Sequence, residues 1–281
     1  MGEEPDDGLL WDIACPSRPI RVPGVTMAGF VDRGITPPGL RLIPHPAVTL
    51  ILVLGGTVAM EDHTGRRQQG SFVLGLGSGE TLRAVRTDAF ECLQVRLSPV
   101  VAHAVLGGAL GELGGAVPFD ELWGREASRV TERLSDLSSW QERFAWVDRW
   151  LADRCAAATR VDPEVAWAWR RILAGRGTVR IERLAAEVGW SRKRLWARFQ
   201  SQLGQPPKRA AKLVRFDHAV HDLVAGGNPA GVAADGGYAD QSHLHRDVVA
   251  FTGLTPATVV DEPFLAVDEL AWGWPGRRPR P

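Results

Sequence analysis

Cysteine, long apolar runs and net charge are all scarce in this chain of 281 residues. The three cysteines, Cys15, Cys92 and Cys155, are far apart and odd in number, and there is no CxxC motif or Cys/His cluster. This pattern argues against a disulfide framework and against a zinc site. It suits a reducing cytoplasm.

No run approaches 18 apolar residues, and the N-terminal sequence MGEEPDDGLL has no basic region followed by an apolar core. We therefore expect no membrane span, no export signal and a cytoplasmic location. With 44% hydrophobic and 23% charged residues, the composition is that of an ordinary globular protein. The length allows two domains, each with its own core.

A net charge of zero would by itself argue against a nucleic-acid partner, but the charges are unevenly distributed. Residues 176–216 hold eleven Lys and Arg against two acids, whereas residues 1–160 hold 16 basic and 20 acidic residues. A basic block beside a mildly acidic region indicates phosphate binding in one place only.

Short apolar runs between residues 49 and 97 (TLILVL, TVAMED, SFVLGL, TLRAVR and FECLQVRL) alternate with turns such as Gly55-Gly56. This spacing predicts an antiparallel barrel or sandwich, and a small barrel can hold one small molecule. None of the eleven Trp residues lies between 41 and 97, so we expect no aromatic cage inside the barrel.

Histidines give no metal or catalytic pattern. His45, His63 and His103 are dispersed, without an HxH pair or a Glu at matching spacing, and His63 is expected to be solvated in a polar turn. No Ser/His/Asp or Cys/His set can be assembled. We predict no catalytic residues, no metal and no cofactor, and Cys92 is expected in the core of a strand.

After Pro99 the pattern becomes helical. Phe144, Val147, Leu151 and Cys155 fall on one helix face. Two interpretations stay open: this helix packs on the barrel, or part of the region 126–157 is a dimer interface.

A domain boundary is predicted at Val161-Asp162-Pro163, where Asp as N-cap and Pro at the first helical position open a new helix. We divide the chain into residues 1–160, a sensing or dimerisation domain, residues 161–260, a DNA-binding domain, and residues 261–281, a Pro/Arg-rich tail. Trp167 and Trp169 are expected to pack in the second domain.

The second domain contains an internal repeat. Residues 184–207, LAAEVGWSRKRLWARFQSQLGQPP, and 232–256, VAADGGYADQSHLHRDVVAFTGLTP, share two alanines, a Gly-aromatic pair, a Leu, a Gly nine residues later and a Pro three beyond it. One supersecondary unit is therefore used twice. Each copy is predicted as helix, Gly turn, helix, the helix-turn-helix motif whose second helix lies in the DNA major groove.

The second helix of each copy has one apolar face and one face free to contact bases. Leu195, Phe199 and Leu203 form the core face of the first, and Leu244, Val248 and Phe251 that of the second. Gln suits adenine and Arg suits guanine in the major groove. The predicted base-contacting residues are Arg192, Lys193, Trp196, Ala197, Gln200, Gln241, Ser242, His245 and Arg246.

Residues 208–225 are predicted as one linking helix of about 27 Å. One turn of B-DNA is about 34 Å, so this helix would hold the two units near successive major grooves. For any one charge a solvated surface is an equal alternative, and His243 is expected to pack or to contact phosphate. The predicted phosphate-contacting residues are Arg194, Arg198, Lys208, Arg209, Lys212 and Arg215.

In the second copy, Gly237-Tyr238, the run Asp240 to Leu244, Arg246, Gly253 and Pro256 resemble the signature of the AraC/XylS family of bacterial transcription regulators. The first copy is similar at Leu184-Ala185, Gly189 to Ser191, Leu195, Phe199, Gly204 and Pro207. The resemblance covers about residues 165–260 and implies an all-helical domain with two helix-turn-helix motifs that bind double-stranded DNA as a unit.

This chain departs from the family at two positions of the second copy. Val248 stands where the family usually has Phe, and Val249 where a basic residue is common. We therefore expect the second unit to hold phosphate more weakly than the basic first unit.

The N-terminal region is similar in layout to the cupin-like sensing domains attached to many such regulators. The resemblance implies an α+β multidomain protein: a cupin-like antiparallel β-barrel with helices, then the all-α DNA-binding domain. It also implies a sequence-specific transcription regulator, modulated by a small-molecule effector in the barrel. Expected partners are promoter or operator DNA, RNA polymerase and a second copy of the chain, with no membrane partner.

Two other functions stay open. A DNA-repair alkyltransferase or a barrel isomerase with a DNA-binding appendage would be an enzyme, and alkyl transfer needs an activated thiolate that no neighbouring His/Arg motif indicates here. A co-regulator whose barrel binds a protein is the third.

Overall fold

The computed structural model describes residues 10–32, 36, 39–62, 64–77, 82–107, 110, 113 and 115–272. His63 and residues 273–281 of the predicted tail lie outside them. The strands are β1 (Trp11–Ala14), β2 (Val25–Asp32), β3 (Val48–Glu61), β4 (Arg67–Gln69), β5 (Phe72–Leu74), β6 (Arg83–Leu97) and β7 (Ala116–Pro118).

The helices fall into two groups. Four follow or flank the sheet: α1 (Pro99–Val105), α2 (Phe119–Trp123), α3 (Arg125–Ser135) and α4 (Trp140–Ala157). The others are α5 (Pro163–Ala174), α6 (Ile181–Glu187), α7 (Arg192–Leu203), α8 (Pro207–Val224), α9 (Pro229–Asp235), α10 (Gln241–Thr252), α11 (Pro256–Val259), α12 (Pro263–Ala266) and α13 (Asp268–Trp272). Within the described residues, no helix is long and apolar enough to cross a membrane.

The seven strands form one antiparallel sheet in the order β1-β2-β6-β3-β5-β7, with β4 paired to β3. An antiparallel sheet is confirmed, but it is not closed: β1 and β7 are its two edges in the described part of the chain, so the barrel of the prediction is not formed. The inner apolar face is covered instead by α12 and α13, which bury side chains that closure would otherwise have covered.

Strand β3 is longer than predicted because Gly55-Gly56 is a bulge within it. The pairing of β3 with β6 shifts register on both sides of Gly55 and then continues. Gly56 has a φ of +71°, and a Cβ there would lie 2.1 Å from the Ala89 carbonyl oxygen. A bulge bends a strand without ending its ladder, so the two predicted strands on either side are one.

Alternation along the strands divides the sheet into two apolar faces. Leu50, Leu52 and Val95 point to the face that packs against α1, α3 and α4, whereas Ile51 and Cys92 point to the opposite, inner face, against α12 and α13. Cys92 is buried in β6, as predicted. Residues 41–97 hold no Trp, but the rings of Trp11, Phe264 and Trp272 pack on the inner face from other parts of the chain.

Helix α4 begins with a capping box between Ser139 and Glu142. Phe144, Val147 and Leu151 are buried in the core shared with the sheet, which confirms the packing interpretation for this face. Cys155 is only partly buried.

One continuous hydrophobic core extends from the helix-covered face of the sheet into the C-terminal helices. Trp169 is buried and Trp167 packs against the same core, as predicted. Helix α1 contacts α7, where His103 Nδ1 lies 3.0 Å from the Gln202 carbonyl oxygen. The first unit of the repeat is therefore packed on the N-terminal region.

Residues 263–272, assigned from the sequence to a tail, are the two short helices α12 and α13. Leu265, Val267 and Ala271 are buried. Their apolar side chains explain the difference, since they have the sheet to pack against.

Candidate nucleic-acid interface

The first helix-turn-helix unit consists of α6, a turn at Gly189 and α7. Gly189 has a φ of +68°, which favours glycine. The Ser191 hydroxyl caps α7 by accepting a hydrogen bond from the Arg194 N–H at 3.2 Å. The turn and the N-cap predicted for this unit are both confirmed.

The second unit consists of α9, a turn at Gly237 and α10, and it uses the same devices. Gly237 has a φ of +70°. The Asp240 carboxylate caps α10 by accepting from the His243 N–H at 2.7 Å. The two copies of the repeat therefore share their local geometry as well as their sequence spacing.

The Gly and Pro that end each copy have a structural reason. Gly204 and Gly253 end α7 and α10 in the left-handed conformation, with φ of +81° and +69°. Glycine is the preferred residue at such helix ends. Pro207 and Pro256 then stand in the first turn of the next helix, where a missing N–H costs no hydrogen bond.

Both recognition helices, α7 and α10, bury the predicted core faces: Leu195, Phe199, Leu203, Leu244, Val248 and Phe251. Eight of the nine predicted base-contacting side chains are exposed, and Trp196 is 50% exposed, large and apolar. Gln200 differs: it is half-buried, and its Oε1 is buried without a hydrogen-bond partner among the described residues.

An open cleft of about 800 Å³ lies between the two units. Helix α7 lines it with Lys193 and Trp196, α8 with Lys208 and Lys212, and the second unit with His243. The structure thus brings the cationic faces of the first unit and of the linking helix to one depression.

A family model described as "Helix-turn-helix domain" matches residues 184–261, which is the region of both units. Its span coincides with the two motifs just described and with the AraC/XylS signature. The C-terminal region of this chain is an AraC-type helix-turn-helix domain.

Solved structures resemble the chain over most of its length at low identity. An apo variant of ToxT from Vibrio cholerae strain SCE256 is 9% identical, with a TM-score of 0.50, over 85% of this chain and 97% of that one. ToxT from Vibrio cholerae O395 is 10% identical, with a TM-score of 0.49, over 86% and 98%.

The AraC-like transcriptional activator CuxR is 18% identical, with a TM-score of 0.28, over 78% and 89% of the two chains. No curated protein matches the chain. The apo ToxT variant supports the fold, an antiparallel sheet region followed by a helical domain.

In the AraC-type domain, a buried carboxylate clamps the second unit to the linking helix α8. Asp247 on α10 accepts from Arg215 Nη2 at 2.7 Å and lies 3.0 Å from Lys212 Nζ. The Arg215 guanidinium also stacks over Tyr238, 4.2 Å from the ring centroid. Phe216 and Phe251 add a ring contact at 4.8 Å.

Two of the predicted phosphate-contacting residues, Arg215 and Lys212, are already paired with the Asp247 carboxylate in this clamp. The Arg215 side chain is only 14% exposed, and Lys212 is 40% exposed beside the same carboxylate. No role was predicted for Asp247, although an acid on α10 that faces the cations of α8 forms an ion pair with them. His243 lies edge-on to Tyr238 at 5.2 Å, which supports a packing role.

The first unit has its own ion pairs. Arg198 donates to both Asp162 oxygens, at 2.7 and 2.8 Å, and so points toward the start of α5. The hydrogen bond raises the pKa of Arg198 and lowers that of Asp162. Arg194 stacks over Trp190, at 4.3 Å, and Arg192 donates to Glu182 at 3.1 Å.

The remaining predicted phosphate residues, Lys208 and Arg209, are exposed at the start of α8. The described residues contain no group of His, Cys, Asp and Glu that could hold a metal ion.

The cysteines do not have the environment of an activated thiolate. Burial raises the pKa of Cys92 to about 12, and it also raises the pKa of Cys15 and Cys155. An activated nucleophile requires the opposite direction, so alkyl transfer gains no support from these thiols.

Proposed function

We propose that the chain is a sequence-specific transcription regulator that binds double-stranded operator DNA in the cytoplasm. One observation carries this proposal: two recognition helices bury their apolar faces and leave their polar faces exposed, and the polar face of α7 lines a basic cleft that it shares with α8. In a helix-turn-helix protein, the exposed face of the second helix contacts base edges in the major groove.

In this proposal, base contacts come from Arg192, Lys193, Trp196 and Ala197 on α7 and from Gln241, Ser242, His245 and Arg246 on α10. Gln200 is assigned to the edge of the α7 contact because it is half-buried. Trp196 and Ala197 fit the methyl group of thymine, and Arg246 fits guanine.

Phosphate contacts are assigned mainly to Arg194, Lys208 and Arg209, which are exposed. Lys212, Arg198 and Arg215 support these contacts by fixing the two units through Asp247 and Asp162. Val249 is exposed and uncharged on α10, so the first unit and the start of α8 provide most of the electrostatic affinity.

Selection of bound sequences from random DNA, followed by titration of variants, tests the proposal. Lys193→Ala and Arg246→Ala should each weaken discrimination at one half of the selected site, by about 1 to 3 kcal/mol per lost base contact. Lys208→Ala should weaken binding to all sequences and reduce the salt slope by about 1.

The matched control is Arg67→Ala, which removes an exposed cation from the sheet that does not line the cleft. Unchanged binding by both Lys193→Ala and Arg246→Ala, with an intact fold, contradicts the assigned faces.

A small-molecule effector and a homodimer complete the proposal, with RNA polymerase as a further partner. The effector is assigned to the inner face of the sheet. The surface around α3 and α4, where Trp146 and Trp150 stack at 6.3 Å and are only half-buried, is assigned to the dimer. Light scattering of the wild-type chain and of Trp146→Ala tests the dimer, since a monomer in both contradicts it.

A further inference from the structure

The inner face of the sheet is filled by the chain's own C-terminal segment, Pro263–Trp272. Phe264 stacks on Trp11 with centroids 4.8 Å apart and 20° between planes, and Trp272 lies 6.2 Å from Phe30. The two cavities left beside Phe264 hold only about 40 Å³ each. A molecule larger than a few waters can bind here only by displacing this segment.

One buried carboxylate of the segment, that of Asp268, is held by three side chains from other elements. Asp268, 1% exposed, accepts from Arg96 Nη2 of β6 at 2.8 Å and from His221 Nε2 of α8 at 3.1 Å. His45 Nε2 lies 3.4 Å from the same carboxylate, and its Nδ1 lies 3.1 Å from Asp217.

The geometry makes His221 a cation. Its Nδ1 lies 2.7 Å from the Asp217 carbonyl oxygen and its Nε2 faces Asp268, so both ring nitrogens face acceptors and both must donate. Burial opposes this charge, but the bond to Asp268 and the charges of both aspartates raise the pKa of His221 to about 9. Burial also opposes the charge of Asp268, yet Arg96 and the two histidines hold its pKa well below the usual range.

The Asp268 carboxylate does not engage all of the hydrogen-bond donors of Arg96. Trp272 lies on the face of its guanidinium, 4.0 Å from Cζ to the ring centroid, and Asp268 takes Nη2. The Arg96 Nε–H is buried without a hydrogen-bond partner among the described residues. A carboxylate free of the backbone can take Nε and Nη2 together, the bidentate geometry that arginine favours.

We propose that the inner face of the sheet is a binding site for a small arylalkanoic acid, and that Pro263–Trp272 occupies it as a built-in ligand which such an acid displaces. The carboxylate of the acid replaces that of Asp268 on Arg96, and its ring replaces Trp272 on the guanidinium face. This inference rests on the proposed function, because it names the ligand class of the proposed effector site.

Displacement would reach the second DNA-binding unit. Arg41 donates to the Thr252 carbonyl oxygen at the end of α10 through Nη1, and its backbone N–H donates to Glu262, both at 3.3 Å. His221 lies on α8, which precedes the unit. Arg41 therefore links the end of α10 to Glu262, the residue before the segment, and His221 links α8 to Asp268 within it.

Calorimetric titration of the full chain with indole-3-propionate tests the site. The matched probes are indole-3-propionamide, which lacks the charge, and octanoate, which lacks the ring. Asp268→Asn removes the internal carboxylate and leaves Arg96, His221 and His45 without it. The acid can then form a charge-assisted hydrogen bond in its place, so this variant should bind the acid at least about 10-fold more tightly than the wild type. The amide should gain nothing, and octanoate should bind more weakly than the aryl acid.

Hydrogen exchange of the wild-type chain gives a second readout that does not depend on a variant folding. The acid, but not the amide, should speed exchange in residues 263–272 and in α10. Equal behaviour of acid and amide in both measurements overturns the site, and binding of the acid without faster exchange overturns the displacement. Neither measurement uses DNA. A failure of operator binding would therefore contradict the proposed regulator function without changing the result for acid binding.

Discussion

Asp247→Ala should destabilise the AraC-type domain more than any surface charge change in it. The substitution removes the carboxylate that accepts from Arg215 at 2.7 Å and lies 3.0 Å from Lys212. Arg215 then remains buried over Tyr238, and no other carboxylate among the described residues replaces Asp247 at that distance.

The expected magnitude follows from burial. Removing one partner of a buried ion pair costs about 3 to 5 kcal/mol, because the other charge stays desolvated. Lys212 can turn to solvent, and Arg215 keeps its contact with the Tyr238 ring, worth about 1 kcal/mol. We therefore expect a loss of about 3 kcal/mol in the free energy of unfolding.

Urea unfolding followed by circular dichroism at 222 nm measures this loss. Glu182→Ala is the matched control, because it also removes one carboxylate from a helix-turn-helix unit. Its pair with Arg192 is exposed, with side chains 63% and 71% accessible, so its loss should change the free energy of unfolding far less than the loss of Asp247 does. A double variant Arg215→Ala/Asp247→Ala should cost less than the sum of the single changes. If Asp247→Ala costs no more than Glu182→Ala, the clamp does not stabilise the second unit.

Two further predictions concern ionisable groups. The pKa of His221 is about 9 in the folded chain against an ordinary 6.5, so its charge should stabilise the fold by on the order of 3 kcal/mol. This stabilisation should be fully present below pH 6.5 and lost as the pH rises to about 9. The unfolding free energies of the wild type and of His221→Gln should therefore converge over this range, and a constant difference would contradict the assignment. Burial in β6 raises the pKa of Cys92 to about 12, so iodoacetamide at pH 8 should leave Cys92 unmodified in the native chain while the exposed Cys15 reacts slowly. Mass spectrometry measures the labelling, and a Cys92 that is labelled first would show that β6 is accessible.

The helical half of the fold follows from local sequence. Gly189, Gly237, Ser191 and Asp240 act on their own turns and caps, so their spacing is sufficient to place the motifs. The apolar faces of α7 and α10 follow from the helical period for the same reason. The sheet was predicted less well because Gly55-Gly56 has the composition of a turn, and only pairing with β6 shows that it is a bulge.

The sequence by itself determined the repeated units, the basic block and the two recognition faces, because helix periodicity, capping and charge density are properties of neighbouring residues. Only the tertiary structure decided which charges are engaged internally. Arg215 meets Asp247 and Arg198 meets Asp162 across 32 and 36 positions, and Asp268 meets Arg96 across 172. Contacts over such separations depend on how whole elements pack, so no local pattern could assign Pro263–Trp272 to the inner face of the sheet.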